Sequence, residues 1–123
     1  MRNSDRKEYA LKQVKINTLT QREKENALNE VRILASLQSP FLIEYKQAFF
    51  DEPTGCLCII MEFADDQDVY QKIVESQGKK VYLKEKMIWR TVVQIMRGLS
   101  ILHRLRILHR DMKSANCFLF KTG

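Results

Sequence analysis

The stretch His109-Arg110-Asp111-Met112-Lys113-Ser114-Ala115-Asn116 gathers an acid, two bases, a histidine and an amide. Those residue types can work together chemically. A carboxylate can accept a proton from an attacking hydroxyl. A lysine two positions on can sit beside developing negative charge, and an amide oxygen five positions after the acid can ligate a hard cation. Here those residues are Asp111, Lys113 and Asn116. Apolar residues close the stretch on both sides, Ile107-Leu108 before it and Phe118-Leu119-Phe120 after it. Polar density between two apolar runs predicts a loop pinned between buried anchors.

A loop of this kind needs rigid neighbours. Upstream, Ile88, Val92, Ile95, Met96, Leu99 and Leu102 keep helical spacing, which predicts a long helix from Lys84 to Leu105. The stripe is expected to be core, with the methionines filling gaps. Lys84, Lys86, Arg90, Arg97 and Arg104 would form its solvated face. Downstream, Cys117 to Phe120 reads as a short strand, and Lys121-Thr122-Gly123 would suit a turn.

The N-terminal half offers further candidates. Tyr9 to Val14 alternates as a strand, with Ala10, Lys12 and Val14 on one face. A lysine between small apolar residues either meets an anion or snorkels to water from a sheet edge. Thr20-Gln21-Arg22-Glu23 fits a capping box, so a helix is expected from there to Leu37, stopped by Ser39-Pro40. Glu30 borders its apolar stripe, and Lys12 is the cation available to it; taken alone, Glu30 also reads as a solvated glutamate. Phe41 to Phe50 and Cys56 to Met61 read as strands joined by the turn Asp51-Glu52-Pro53-Thr54-Gly55, a hairpin beside the first strand. Met61 to Asp68 then turns acidic and reads as a connector, followed by a helix from Val69 to Ser76 ending near Gly78.

Composition narrows the classes. The sequence has 123 residues, is 45% hydrophobic and 29% charged, and carries a net charge of +6, which fits a globular domain or part of one. Three cysteines without framework spacing argue against a secreted disulfide scaffold. No apolar leader opens the chain at Met1 to Lys7, and the apolar run Leu57 to Met61 is too short to span a membrane. A reduced intracellular protein with no membrane partner is the expectation. A small basic nucleic-acid-binding module is disfavoured, because no series of aromatics interleaves with the basic positions.

In order, these features are strand lysine, helix glutamate, hairpin, acidic connector, long helix and H-R-D-x-K-x-x-N loop. The sequence resembles the protein kinase superfamily over essentially its whole length. Lys113 resembles the serine/threonine class. The block Arg106 to Leu119, together with Tyr9-Ala10-Leu11-Lys12 and Met61-Glu62-Phe63, is similar to NIMA-related (Nek) kinases.

The resemblance implies an α+β, kinase-like two-lobe fold present in part. Residues 1–61 would belong to the small lobe, 62–68 to the hinge connector and 69–123 to the large lobe. It implies ATP and Mg²⁺ as cofactors, a protein Ser/Thr hydroxyl as acceptor, and no nucleic acid or membrane partner. The setting would be cytoplasmic, and the family resemblance extends to association with the cytoskeleton. Lys12 would hold the ATP phosphates and pair with Glu30. Met61 would be gatekeeper, the backbone of Glu62 and Ala64 would meet adenine, Asp68 the ribose, and Ala10 and Phe118 the faces of the base. Asp111 would orient the acceptor hydroxyl, Lys113 would stabilise transferring charge and Asn116 would ligate Mg²⁺.

Two departures stand out. No glycine precedes Gly55, so the Gly-rich loop is missing, and no D-F-G or A-P-E follows Asn116. Asp66-Gln67 stands where the family often has glycines, and Met112 replaces a leucine. The expectation is a partial kinase domain: a truncated gene model, a partial clone or a shortened paralogue. The rival reading is a catalytically silent kinase-like scaffold.

Overall fold

The computed structural model describes residues 7–121. Residues 1–6, read above as lacking a leader, and Thr122-Gly123 of the expected terminal turn lie outside the described residues. The chain forms two compact units, Met1–Phe63 and Ala64–Gly123.

The first unit is an antiparallel sheet with one helix. Its strands are β1 (Tyr9–Lys15), β2 (Tyr45–Asp51) and β3 (Cys56–Glu62), in the order β1-β3-β2. The most apolar strand therefore lies in the middle. Cys56, Leu57, Cys58 and Ile59 are all buried, with Ile59 only 2% exposed. Burying such a side chain is worth about 1.5–3 kcal/mol. Both cysteines are free and packed as small apolar groups.

Helix α1 (Gln21–Ser36) starts on the expected capping box. The Glu23 N–H donates to Thr20 Oγ1 at 3.4 Å, and the Thr20 N–H donates to Glu23 Oε2 at 2.7 Å. That pairing holds the Glu23 carboxyl below its ordinary pKa, the Thr20 backbone N–H being the main cause. The helix packs against β2.

One expectation fails here. The strand predicted from Phe41 begins only at Tyr45. The Leu42 N–H donates to the Ser39 carbonyl at 3.2 Å and the Phe41 N–H to Ser39 Oγ at 3.1 Å, so Ser39-Pro40 continues into a turn.

The second unit holds α2 (Val69–Gly78), α3 (Glu85–Arg104) and a single 3-10 turn, Ser114–Asn116. Asp68 caps α2, accepting from the Gln71 N–H at 2.9 Å. Both long helices end on the same device. After α2, Lys80 takes φ 52°, its N–H donates to the Gln77 carbonyl, and the Val81 N–H donates to the Ser76 carbonyl, both at 3.0 Å. After α3, Arg106 takes φ 58°, its N–H donates to the His103 carbonyl at 3.0 Å, and the Ile107 N–H donates to the Leu102 carbonyl at 2.9 Å. These are Schellman caps built without glycine at the left-handed position. Helix α2 does end at Gly78, as expected, but the left-handed cap position falls to Lys80.

Two more expectations need correcting. Cys117 to Phe120 forms no strand; Phe118 makes an isolated antiparallel bridge to Asp68. The α3 stripe is core only toward its C-terminal end. Leu102 is buried, whereas Ile88 is 46% exposed and Met96 61% exposed. Periodicity marked the apolar face, but no element among the described residues covers its N-terminal half. No helix among them is long and apolar enough to cross a membrane.

Candidate active site

In the first unit, the sheet register sets the arrangement. Ala10 pairs with Met61 and Lys12 with Ile59. Register partners share a face and alternate residues recur on it, so Ala10, Lys12 and Met61 stand on one side of the sheet. Glu30 reaches Lys12 from α1: Lys12 Nζ donates to Glu30 Oε1 at 2.6 Å. The pair forms as the sequence suggested, but its side chains are about half exposed, 46% and 55%. An exposed pair contributes roughly 0.2–1 kcal/mol, so its position says more than its energy. At the end of β3, the Glu62 N–H donates to the Glu44 carbonyl at 2.8 Å, and Glu62 Oε2 accepts from the Glu44 N–H at 3.2 Å. That reciprocal contact fixes the strand's exit.

In the second unit, the chain between Ala64 and Phe118 is drawn together by backbone bonds. The Asp66 N–H donates to the Leu119 carbonyl at 3.1 Å, the Val69 N–H to the Cys117 carbonyl at 2.9 Å, and the Leu119 N–H to the Gln67 carbonyl at 2.9 Å. Asp68 and Phe118 are thereby neighbours. Gln67 takes φ 64°, at one of the positions where the resemblance leads one to expect glycine. Its amide donates to Glu75 Oε1 at 2.9 Å, while Asp66 pairs with Lys72 at 2.7 Å.

The polar loop is a local cluster. Lys113 Nζ lies 3.0 Å from Asp111 Oδ2, and Asn116 Nδ2 donates to the same oxygen at 2.9 Å and to the Asp111 carbonyl at 2.8 Å. The Lys113 ammonium first, and then the Asn116 amide, hold the Asp111 carboxyl below its ordinary pKa. Asp111 is thus an ionised acceptor at neutral pH. Its Oδ2 is occupied, and Oδ1 remains for a proton or a hydroxyl. The Asp111 N–H donates to His109 Nδ1 at 3.3 Å, which requires that nitrogen to be unprotonated.

Arg110, directly before the acid, takes φ 63°. A left-handed arginine costs about 1 kcal/mol and persists where its neighbours hold it. Residue type carries no warning of this, because arginine has no special tendency toward that region. Nor did it reveal the triangle of Asp111, Lys113 and Asn116, since loop spacings carry no periodicity from which contacts follow. Cys117 Sγ donates to the Lys113 carbonyl at 3.4 Å, and burial pushes its thiol pKa up, which disfavours the thiolate.

The donor set suits a hard cation held chiefly by a ligand's own oxygens. With Nδ2 committed to Asp111, Asn116 presents Oδ1 as a neutral oxygen donor beside the carboxylate. No group of three or more His, Cys, Asp or Glu among the described residues could form a closed metal cage. Lys12, alone among small apolar neighbours on its sheet face, suits an anionic group.

Comparison with known proteins gives these features a family context. The family model described as "Protein kinase domain" matches residues 1–123. Among curated proteins, the chain is similar to serine/threonine-protein kinase Nek1 of Mus musculus, 34% identical over 119 residues, 97% of this chain and 10% of that protein. It is similar to the probable serine/threonine-protein kinase nek2 of Dictyostelium discoideum, 34% identical over 121 residues, 96% of this chain and 29% of that protein. Against Nek9 of Mus musculus it is 38% identical over 112 residues, 91% of this chain and 11% of that protein. The chain spans less than a third of the length of each of these relatives.

Proposed function

The chain belongs to the protein kinase family and is related to its Nek serine/threonine members, and from that premise we propose that it carries part of an active site that moves the γ-phosphoryl group of ATP to a protein Ser/Thr hydroxyl. The observation that carries this reading is the state of Asp111: ionised, with one oxygen held by Lys113 and Asn116 and the other left to receive a proton. In this reading Asp111 orients the acceptor hydroxyl and takes its proton. Lys113 is placed to balance charge as the phosphoryl group moves. Such catalysis is positioning and charge neutralisation more than covalent chemistry.

The nucleotide assignments are part of the same proposal. Lys12, fixed by Glu30, would hold phosphate oxygens. Within the first unit, Ala10 and Met61 would present apolar surface to the base; within the second, Phe118, given the same role by the resemblance, is the bridge partner of Asp68. The backbone of Glu62 and Ala64 would meet the adenine edge, and Asp68 the ribose. Asn116 would supply one ligand to Mg²⁺, which when bound neutralises phosphate charge.

Residues 1–123 hold neither a Gly-rich loop nor a D-F-G sequence, so we propose that they are catalytically silent when isolated, although Lys12, Glu30, Asp111 and Asn116 are all intact. The test is transfer of labelled phosphate from ATP to a Ser/Thr-bearing protein by the complete protein, with nucleotide binding measured in parallel, while residues 1–123 alone should give no transfer. Phosphate found on tyrosine alone, or nucleotide binding indifferent to Lys12→Met, would defeat the reading.

A further inference from the structure

The turn between α2 and α3 has a feature that phosphoryl transfer does not use. Lys79, Lys80, Lys84 and Lys86 lie within eight residues, interrupted by Val81, Tyr82, Leu83 and Glu85. All four lysines are exposed. At the apex, Val81 is 63% exposed and Tyr82 97% exposed, the most exposed of the large hydrophobic side chains among the described residues.

The apex is also fixed. Val81 is bonded at both ends to Ser76: its N–H donates to the Ser76 carbonyl at 3.0 Å, and its carbonyl accepts from the Ser76 hydroxyl. Lys80 is locked in the left-handed cap of α2. Exposing a valine and a tyrosine on a backbone held this firmly yields no folding benefit, since neither side chain is buried.

We propose that this turn is a peripheral docking tip for an anionic phospholipid surface. An exposed valine and tyrosine between lysines offer apolar surface as well as charge, which a bilayer interface can use together, whereas an acidic peptide would use the charge alone. A single aromatic is not the series of stacking faces that single-stranded nucleic acid uses. Tyrosine sits at the headgroup level of bilayers with its ring among the chains and its hydroxyl wet. Flanking lysines reach phosphate oxygens while their stems lie along apolar surface. Glu85, the one acid in the stretch, accepts from Trp89 Nε1 at 3.2 Å, so part of its charge is turned back along α3. The inference departs from the sequence expectation of no membrane partner, which rested on the lack of a spanning segment; peripheral docking needs none.

The experiment is co-sedimentation of the full chain with phosphatidylcholine vesicles, with and without phosphatidylserine. Binding should require phosphatidylserine and weaken with salt. Each lysine neutralised should cost about fivefold in partitioning, so Lys79→Gln with Lys84→Gln should cost roughly 25-fold. Lys79→Arg with Lys84→Arg should retain binding. Tyr82→Ser should weaken it without moving the melting temperature, because that side chain is 97% exposed. Equal binding to uncharged vesicles, or unchanged binding in the glutamine pair or in Tyr82→Ser, overturns the proposal. So does retention on an acidic peptide or single-stranded RNA with none on vesicles, or full competition by inorganic phosphate.

Discussion

Lys12 and Glu30 meet across 18 positions of sequence, whereas Asp111, Lys113 and Asn116 meet within a single loop. The first contact exists only because β1 and α1 are docked, and any shift of that helix breaks it. The second cluster is set by local backbone: a left-handed Arg110, a Schellman cap at Arg106 and the 3-10 turn at Ser114–Asn116. Under the proposed function, the contact that can adjust is tied by tertiary packing, and the cluster that stays fixed is tied to its own neighbours. Helix movement is a known way to switch such proteins, and the Lys12–Glu30 pair is the contact it would make or break.

The strongest test of this contrast is Asp111→Asn in the complete protein. Under the proposed role it should lower phosphoryl transfer by about 10²–10⁴-fold while leaving nucleotide binding nearly unchanged. Single-turnover assays check the first and equilibrium titration the second. Turnover near the parent level would remove Asp111 from the chemistry. The pH dependence sharpens the point. Because Lys113 and Asn116 depress the Asp111 pKa, the folded protein keeps this carboxyl ionised through the ordinary carboxylate range. Activity should therefore fall only at pH below that range, and any stability from this group is lost as pH falls through the lowered value. Lys113→Met should move the acid limb of the rate profile upward.

Next in size is the sheet that carries the tertiary half. Ile59→Ala removes the most buried side chain of the central strand, on the face that bears Lys12. Such truncations cost about 2–5 kcal/mol. That is a large part of the stability of any small domain. Chemical denaturation should show it. A loss well under 1 kcal/mol would mean that the sheet is not the core of its unit.

The sequence revealed these two regions unequally, for physical reasons. Strand alternation, a capping box and an apolar β3 follow rules of fixed period or fixed spacing, so β1, α1, β3 and the long α3 were legible to within a residue or two. Lys12 and Glu30 each read, taken alone, as solvated side chains, and their contact becomes inferable only beside the loop motif and the resemblance it carries. Phe41 to Phe50 was misread as one strand because its apolar content hid the turn that Ser39-Pro40 starts. The α3 stripe was misread as core throughout because a period tells which face is apolar, not what covers it. The Asp111 cluster was legible by residue type, but its hydrogen bonds were not. The two left-handed caps at Lys80 and Arg106 left no signal, because lysine and arginine occupy the place usually given to glycine.

Those caps make a smaller prediction. Arg106→Gly relieves a left-handed side chain worth about 1 kcal/mol, partly offset by the greater freedom of glycine in the unfolded chain. A gain of a few tenths to about 1 kcal/mol is expected, seen as a rise in melting temperature. A loss would mean that the arginine side chain, not the backbone cap, holds the end of α3.

The smallest expected effect on stability is the most informative about the comparison. Glu30→Gln removes the charge that meets Lys12 but keeps an amide oxygen able to accept a hydrogen bond from Nζ. With both side chains about half in water, the stability change should stay within roughly 0.2–1 kcal/mol. Activity in the complete protein should nonetheless drop, because under the proposed role a neutral amide would hold Lys12 more weakly than the carboxylate does and so aim it less well at phosphate. The drop should appear in transfer rate more than in nucleotide affinity, since a misaimed lysine still attracts an anion. If stability fell by several kcal/mol instead, the pair would be holding α1 to the sheet. If neither property changed, Lys12 would be an ordinary exposed lysine, and its position on the β1 face would need another explanation.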